Sequence, residues 1–149
     1  YLDEVLSLHQ GILKMSTRKI LPKLKLQTYK LDTIISSSIF KKPTVIYFWS
    51  QTQMNHFRTT IQKVKKLELE FPNYDFFGIC IQPYNEIVTQ VYQMMQVDPK
   101  KQFAFLNFEK ASKEWVLTLL NKAIIVDKNG VIVNGFGNFA SSDFSKKLK

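Results

Sequence analysis

The chain has 149 residues, of which 45% are hydrophobic and 13% aromatic, enough to form the core of one domain of ordinary size. Its 21 basic and 12 acidic residues give a net charge of +9, but the lysines are scattered along the chain, without an arginine cluster or a glycine-aromatic recognition motif. This pattern favours a solvated basic surface over specific nucleic-acid binding, and no apolar run approaches the roughly 20 residues that a membrane span requires.

Residues 1–17 are predicted to form an N-terminal helical extension, because apolar residues recur there at near-helical spacing. Gly11 interrupts the pattern, so the segment is either one helix or a helix broken at Gly11. Such a helix packs on the following domain or joins it to an upstream one; alternatively, it provides a surface for a dimer or a partner protein. The apolar residues concerned are Leu2, Val5, Leu6, Leu8, Ile12, Leu13 and Met15.

Residues 18–149 are predicted to form one domain in which strands and helices alternate before a hairpin. This order is typical of an α/β three-layer sandwich around a mixed sheet. The predicted elements are strands at 20–26, 33–35, 45–49 and 76–82, helices at 55–71, from Asn85 to the vicinity of Asp98, and at 109–120, a hairpin at 123–133, and a last helix after Asp143. In the helix that starts near Asn85, the side chains expected to face inward are Ile87, Val88, Val91, Tyr92 and Met95.

The hairpin is the strongest of the local signals. Two apolar runs flank Asn129-Gly130, and Asn-Gly in this setting predicts a type I′ turn with positive φ at both residues. The close pair Gly135 and Gly137 then indicates a turn before the last helix.

The end of the strand at 45–49 resembles the active site of thioredoxin-type proteins. In that family a strand ending in Phe-Trp leads through a short spacer to a Cys-x-x-Cys, which opens a helix whose N-terminus lowers the pKa of the first thiol. In this chain the four corresponding positions are Gln53, Met54, Asn55 and His56. Because no thiol stands there, dithiol exchange is excluded at this site.

The resemblance runs from about residue 18 to the end and is to the TlpA-like and redoxin-like branch of the thioredoxin-like superfamily. It implies the thioredoxin-like sandwich already indicated by the order of elements. Family members also carry a cis-proline before the hairpin strand, and the family spacing from Asp127 places it at Asn121. A cis peptide before a residue other than proline costs roughly 2.5–4 kcal/mol, so a trans bond is expected at Asn121.

The remaining candidates for chemistry are one cysteine and two histidines. Cys80 lies in an apolar strand, one β-α unit after the position of the peroxidatic cysteine in the wider superfamily. A buried, inert thiol is therefore favoured over a one-cysteine redox centre. His9 and His56 have no partners at a suggestive spacing, so we predict neither a metal site nor, without a phosphate-binding loop, a cofactor.

The leading hypothesis is a thioredoxin-fold domain without dithiol redox activity and without catalytic residues of its own, which binds an unidentified protein or peptide. The family's substrate groove predicts a cleft that also includes the loop after Gln82. Its predicted lining residues are Trp49, Ser50, Gln51, Thr52, Gln53, His56 and Asn121.

Two alternatives remain open. The first is a thiol-disulfide oxidoreductase of the same family whose reactive cysteines lie outside this chain segment or on a partner. The second is a basic nucleic-acid binder, which predicts an affinity that falls steeply with salt.

The resemblance also implies a bacterial protein located in the periplasm, or tethered to the membrane and facing the periplasm. The chain starts at Tyr1 rather than at Met, and residues 145–149 resemble a shortened helix. We therefore expect it to belong to a longer protein with a signal, a tether or another domain upstream.

Overall fold

A computed structural model describes residues 2–149, without the side-chain surroundings of residues 3, 7, 11, 13, 14 and 87. The structure of Tyr1, the packing of the Leu13 side chain and the predicted inward orientation of Ile87 lie outside the described residues. Over the described range the elements are α1 Leu2–Lys14, β1 Lys25–Thr28, β2 Thr33–Ile35, β3 Thr44–Trp49, α2 Met54–Glu70, β4 Asp75–Cys80, α3 Glu86–Met95, β5 Gln102–Phe105, α4 Phe108–Glu114, β6 Lys122–Val126 and β7 Ile132–Asn138. Short 3-10 helices lie at Ser36–Ile39, Pro99–Lys101 and Phe144–Leu148.

The strands form one mixed sheet in the order β2-β1-β5-β4-β3-β6-β7. β3 is parallel to β4 and β4 is parallel to β5, whereas the other neighbouring pairs are antiparallel. Every residue of β3 is buried, which explains its continuous apolar run, because both faces of this strand are covered.

Helices cover the sheet on both faces. Ile46 and Phe48 of β3 belong to a core cluster with Trp115 at the end of α4, whereas Tyr47 and Trp49 belong to the cluster on the opposite face, with α2 and α3. The predicted α/β thioredoxin-like sandwich is therefore confirmed.

Helix α2 forms because its apolar residues recur every three or four positions and bury one face. Phe57, Ile61, Val64 and Leu67 are all buried on the sheet. The helix ends at Glu70, just before Phe71 and Pro72, since the residue before a proline is disfavoured in the helical region. The predicted helix at 55–71 is confirmed to within one residue at each end.

Helix α1 is continuous through residue 11, so of the two alternatives the structure has the unbroken helix. It contacts α4, and the chain that follows it is anchored by the fully buried Met15. Leu2, Val5 and Leu6 remain exposed.

Helix α3 begins one residue after Asn85 and buries Val88 and Tyr92, as predicted. Val91 and Met95 are partly buried against the same core. No helix among the described residues is long and apolar enough to cross a membrane.

The strand predicted at 20–26 is wrong in its position, because β1 begins only at Lys25. Residues before it lie at the other edge of the sheet, where Ile20 forms a single bridge with Val131. Pro22 lies between these two locations and lacks an N–H group, so the segment cannot continue as one hydrogen-bonded strand.

Strand β5 was not predicted, and the turn predicted at Gly135 and Gly137 is wrong. Both glycines lie inside β7. A Cβ atom on Gly135 would lie 2.3 Å from the carbonyl oxygen of Met15, and one on Gly137 would lie 3.0 Å from that of Ala123. The glycines therefore allow close backbone packing within a strand rather than a change of direction.

The predicted hairpin is present, but its turn is not type I′. Of the two residues expected at positive φ, only Gly130 has it, at 78°. Asp127 organises the turn instead: its backbone oxygen accepts from Gly130 N at 3.0 Å, and its carboxylate accepts from Asn129 N and Val131 N at 2.8 and 3.0 Å. This is the longer hairpin loop in which one glycine takes the left-handed position.

The last predicted helix is present only as the 3-10 helix Phe144–Leu148. It buries Phe144 and Leu148 against the face of the sheet that α2 covers.

Candidate functional site

The candidate site lies where β3 and β4 end. Since these strands are parallel and Trp49 pairs with Cys80, their carboxyl ends reach the same edge of the sheet. The loops that follow, at residues 50–53 and 81–85, therefore lie side by side. This edge is where α/β sheets commonly bind ligands.

Glutamine side chains bind the two loops to each other. Gln82 Nε2 donates to Ser50 Oγ at 2.7 Å, and Gln82 Oε1 accepts from the backbone N–H of Gln51 at 2.9 Å. Gln51 in turn accepts from Asn85 Nδ2 at 2.6 Å and donates to the backbone oxygen of Pro83 at 3.1 Å. These bonds fix the chain that leads into α2.

The four positions that the resemblance assigns to the Cys-x-x-Cys, residues 53–56, form the start of α2. Gln53 is the residue before the helix, and its side chain forms no capping hydrogen bond. Asn55 does not cap the helix either, because its Oδ1 accepts from Arg58 Nη1 at 3.3 Å.

His56 and Asn121 are in direct contact. His56 Nε2 lies 2.6 Å from Asn121 Oδ1, and since an amide oxygen only accepts, Nε2 carries the proton. His56 Nδ1 is buried and has no hydrogen-bond partner in the described part of the chain. The peptide before Asn121 is trans. The structure thus brings two residues of the predicted cleft into direct contact.

The other predicted cleft residues divide by exposure. Trp49 and Ser50 are buried, and the Trp49 ring is stacked on Phe57 with 4.0 Å between ring centroids. These two residues lie behind the cleft, in the core. Thr52 and Gln53 are exposed and accessible to a ligand.

The opposite wall of the cleft is a loop that the sequence predicted as helix. α4 ends at Glu114 rather than at residue 120, because Val116 has a φ of 54°, a left-handed conformation that β-branched residues rarely adopt. Lys122 Nζ donates to the carbonyl oxygens of Trp115 and Val116, which have no N–H donor from the helix because the helix has ended. Residues 117–121 therefore form a loop.

Lys122 is a buried cation that sequence analysis missed. Its side chain is only 7% exposed, its Nζ lies 4.6 Å from the centroid of the Phe136 ring, and no carboxylate of the described residues pairs with it. Burial lowers the pKa of Lys122 to about 8. The available signal was a lysine at the first position of an otherwise apolar strand.

The loop separates two hollows. One, the Gln53 pocket, has a volume of about 170 Å³, and the other, the Lys122 pocket, has a volume of about 230 Å³. Both are lined by Thr118 and by Leu119, which is 74% exposed. The remaining lining residues are Phe48, Gln53, Ile81, Phe108, Leu117 and Leu120 in the first pocket, and Val116, Asn121, Lys122, Phe136, Gly137 and Asn138 in the second.

The main chain of this loop has unused hydrogen-bonding groups. Lys122 N donates to Leu119 O at 3.2 Å, and Phe139 N donates to Asn121 O at 2.7 Å. Leu120 N–H and C=O, by contrast, form no hydrogen bond within the described residues.

Solved structures share this architecture over most of their length. The thioredoxin domain of a thiol-disulfide oxidoreductase from Bacteroides vulgatus superposes with a TM-score of 0.72, at 14% identity, over 89% of this chain and 95% of that one. The chain has a thioredoxin fold. A thiol-disulfide oxidoreductase from Bacteroides fragilis gives a TM-score of 0.69 at 17% identity, covering 87% of this chain and 97% of that one.

A third similar structure is that of a thiol:disulfide interchange protein from a Bacteroides species, with a TM-score of 0.66 at 15% identity over 80% of each chain. No protein-family model and no curated protein sequence matches the chain. At these identities the structural similarity confirms the predicted resemblance at the level of the fold.

Cys80 lies in the core of the thioredoxin fold, as predicted. Its thiol is fully buried, donates to Gln82 Oε1 at 3.3 Å, and accepts from Gln51 Nε2 at 3.7 Å. Burial raises the pKa of Cys80, so the thiolate needed for nucleophilic attack is disfavoured. Elsewhere in the described range, no three histidine, cysteine, aspartate or glutamate side chains converge on a metal site.

Proposed function

We propose that this domain binds an extended peptide segment of a partner protein in the thioredoxin-fold cleft and exchanges no disulfide there. The observation that carries the proposal is the His56–Asn121 hydrogen bond, which joins two positions that in the family hold a reactive cysteine and a cis-proline. Gln53 stands where the family has the first cysteine of the Cys-x-x-Cys.

The absence of disulfide exchange follows from the groups present. Exchange requires a thiolate that attacks a disulfide sulfur. An amide at Gln53 and an imidazole at His56 cannot form the mixed disulfide, and Cys80 is buried with a raised pKa.

The size of the Gln53 pocket supports a peptide rather than a small molecule. Its volume of about 170 Å³ is below the roughly 300 Å³ at which small-molecule sites begin. Its lining is mostly apolar, with Gln53 and Thr118 as polar side chains. Such a pocket suits one apolar side chain, while the free N–H and C=O of Leu120 can pair with the peptide main chain.

The cleft is also held in place before any ligand binds. The Gln82 hydrogen bonds fix one wall, and Lys122 fixes the start of the other. Because little ordering remains to be done on binding, a short peptide can still reach useful affinity.

The test is selection of binding peptides from a random phage-displayed library, followed by calorimetry with synthetic peptides. Leu119→Lys places a charge between the two pockets, and we expect it to weaken binding by roughly tenfold or more. The matched control is Leu69→Lys, since Leu69 on α2 is 86% exposed and lines neither pocket. Equal affinity of the two variants, or no enrichment of any peptide, would contradict the proposal.

A second function is supported by the relatives, which are thiol-disulfide oxidoreductases by name. In that case the reactive cysteines lie in another segment of the protein or on a partner, and this domain positions the substrate for them. The full-length gene would then encode further cysteines, and the full-length protein would reduce insulin whereas this domain alone would not.

We further infer that the domain works outside the cytoplasm, in the periplasm or tethered to a membrane facing it. The support is the resemblance to the TlpA-like branch. Fractionation of the native bacterium with an antibody against this domain would test it, and recovery with cytoplasmic markers would contradict it.

A further inference from the structure

A separate hollow lies on the α4 face of the sheet, between α4 and strand β1. Its volume is about 340 Å³. Three lysines stand around it, Lys23, Lys25 and Lys110, and we call it the lysine-rimmed pocket. It shares no lining residue with the Gln53 pocket or with the Lys122 pocket.

The floor of the lysine-rimmed pocket is apolar and rigid. Leu24, Phe105 and Ala111 form it, and all three are buried. The Phe105 ring packs against Trp115 with 5.7 Å between ring centroids. Leu24 N donates to Ser36 Oγ at 3.0 Å, and Ser36 N donates to Leu24 O at 2.8 Å, so the backbone of the floor is also fixed.

The sides of the pocket are mostly apolar, although the polar residue Asn107 also lines it. Ile35 is 41% exposed and Leu106 is 40% exposed, and both line the opening. An apolar chain that entered the pocket would remove both surfaces from water, which is favourable in proportion to the area covered.

The rim carries positive charge without compensation. No aspartate or glutamate lines the pocket, and none of its three lysines pairs with a carboxylate anywhere in the described residues. Another hollow on the protein differs in this respect: it contains Lys101, but that lysine lies 3.8 Å from Glu68. Flexible lysine stems let ammonium groups meet an anion at the mouth while their methylenes rest on apolar surface.

We propose that the lysine-rimmed pocket binds a small amphipathic anion, with the apolar chain on the Leu24–Phe105 floor and a carboxylate or phosphate head group among the three lysines. The volume of about 340 Å³ lies within the range of small-molecule sites, which begins at roughly 300 Å³. Nucleic acid is disfavoured as the occupant because the aromatic ring of Phe105 is buried and offers no face on which a base could stack.

The test is calorimetric titration of the domain, below the micellar concentration, with decanoate and with decyl phosphate. Decyl glucoside tests the chain without charge, and acetate and inorganic phosphate test the head groups without a chain. We expect saturable binding of one or both anionic amphiphiles and none of the three controls. Binding of decanoate only would identify a carboxylate ligand, and binding of decyl phosphate only a phosphate ester.

Two triple variants distinguish binding at this pocket from the general attraction of an anionic ligand to a basic protein. The triple variant Lys23→Gln/Lys25→Gln/Lys110→Gln should weaken binding by roughly tenfold. A control with the same loss of charge, Lys41→Gln/Lys66→Gln/Lys128→Gln, changes exposed lysines outside the pocket and should leave affinity unchanged.

Leu106→Asp places an anion at the mouth and should abolish binding, whereas Leu31→Asp, at an exposed residue outside the pocket, should not. Equal weakening by both lysine variants, binding of decyl glucoside, or no saturable binding of either amphiphile would overturn the proposal. So would binding of poly-glutamate in place of both amphiphiles, which would assign the surface to an acidic protein partner. Leu119→Lys should have no effect, so the outcome is independent of the peptide cleft.

Discussion

His56 on the first turn of α2 donates a hydrogen bond of 2.6 Å to Asn121, the residue that precedes β6. This bond connects the two elements that border the cleft of the thioredoxin fold and fixes their separation. The two residues thus form a structural link across the cleft.

The link predicts coupling between His56 and Asn121. His56→Ala and Asn121→Ala should each lower the free energy of unfolding by about 0.5–1.5 kcal/mol, the usual net value of one hydrogen bond. The double variant should lose little more than either single one, as measured by urea unfolding. Asn55→Ala, on the same turn but outside the link, is the control, and additive losses at His56 and Asn121 would disprove the coupling.

Gln82 is predicted to hold the loop that leads into α2. Gln82→Leu leaves the Gln51 N–H without its partner and removes one of the donors to the buried Ser50 hydroxyl, which should cost about 1–3 kcal/mol of unfolding free energy. Hydrogen exchange at the Gln51 amide should also become faster. Gln90→Leu, at an exposed residue of α3, makes the same replacement without these bonds and should be close to neutral; similar losses in both variants would argue against the role of Gln82.

Lys122 predicts a stability that depends on pH. Its pKa is about 8 in the folded protein and 10.5 in the absence of burial, so between these values the unfolded state binds more protons. The contribution of Lys122 therefore makes the free energy of unfolding rise with pH between these two values. Below pH 8 the lysine is protonated in both states, so this rise is absent there.

Comparison with Lys122→Met isolates this contribution by urea unfolding at several pH values. Both proteins retain Cys80, whose raised pKa gives a slope of opposite sign, so the difference between the two proteins reports on Lys122. We expect wild type to gain stability relative to the variant from pH 8 to 10. Parallel curves would show that the ammonium is not destabilised by burial.

The thioredoxin fold of the chain predicts that two introduced cysteines can create redox activity at the start of α2. In a Cys80→Ser background, Gln53→Cys/His56→Cys should form an internal disulfide, visible by mass spectrometry as the loss of two hydrogens, and should reduce insulin faster than background. The shifted pair Thr52→Cys/Asn55→Cys has the same spacing but points the second thiol away from Asn121. Equal activity of the two pairs would contradict the assigned register.

Local patterns explain which elements were predictable. β3 and α2 were predicted to within one residue because a fully buried strand and a one-sided helix leave continuous and periodic apolar patterns. β5 was missed because its four residues, 102–105, are too short to show a period, and its burial is due to β1 and β4 on either side.

Tertiary contacts explain what the sequence did not reveal about the cleft. The pattern at 109–120 favours a helix, but Val116 departs from helical geometry and Lys122, six residues later, satisfies the freed carbonyl. A lysine side chain that replaces helical N–H donors in this way leaves no periodic pattern in the sequence. Family spacing suggested Asn121 as a cleft residue, whereas its contact with His56, 65 positions away in sequence, required the fold.

The most direct test of the central claim is an insulin-reduction assay of this chain with dithiothreitol, beside Cys80→Ser and an active thioredoxin. Because the reactive positions hold Gln53 and His56 and the only thiol is buried, we predict the rate of dithiothreitol alone for both wild type and variant. A wild-type rate clearly above that background, and lost in Cys80→Ser, would contradict the account and identify the chain as a one-cysteine redox enzyme.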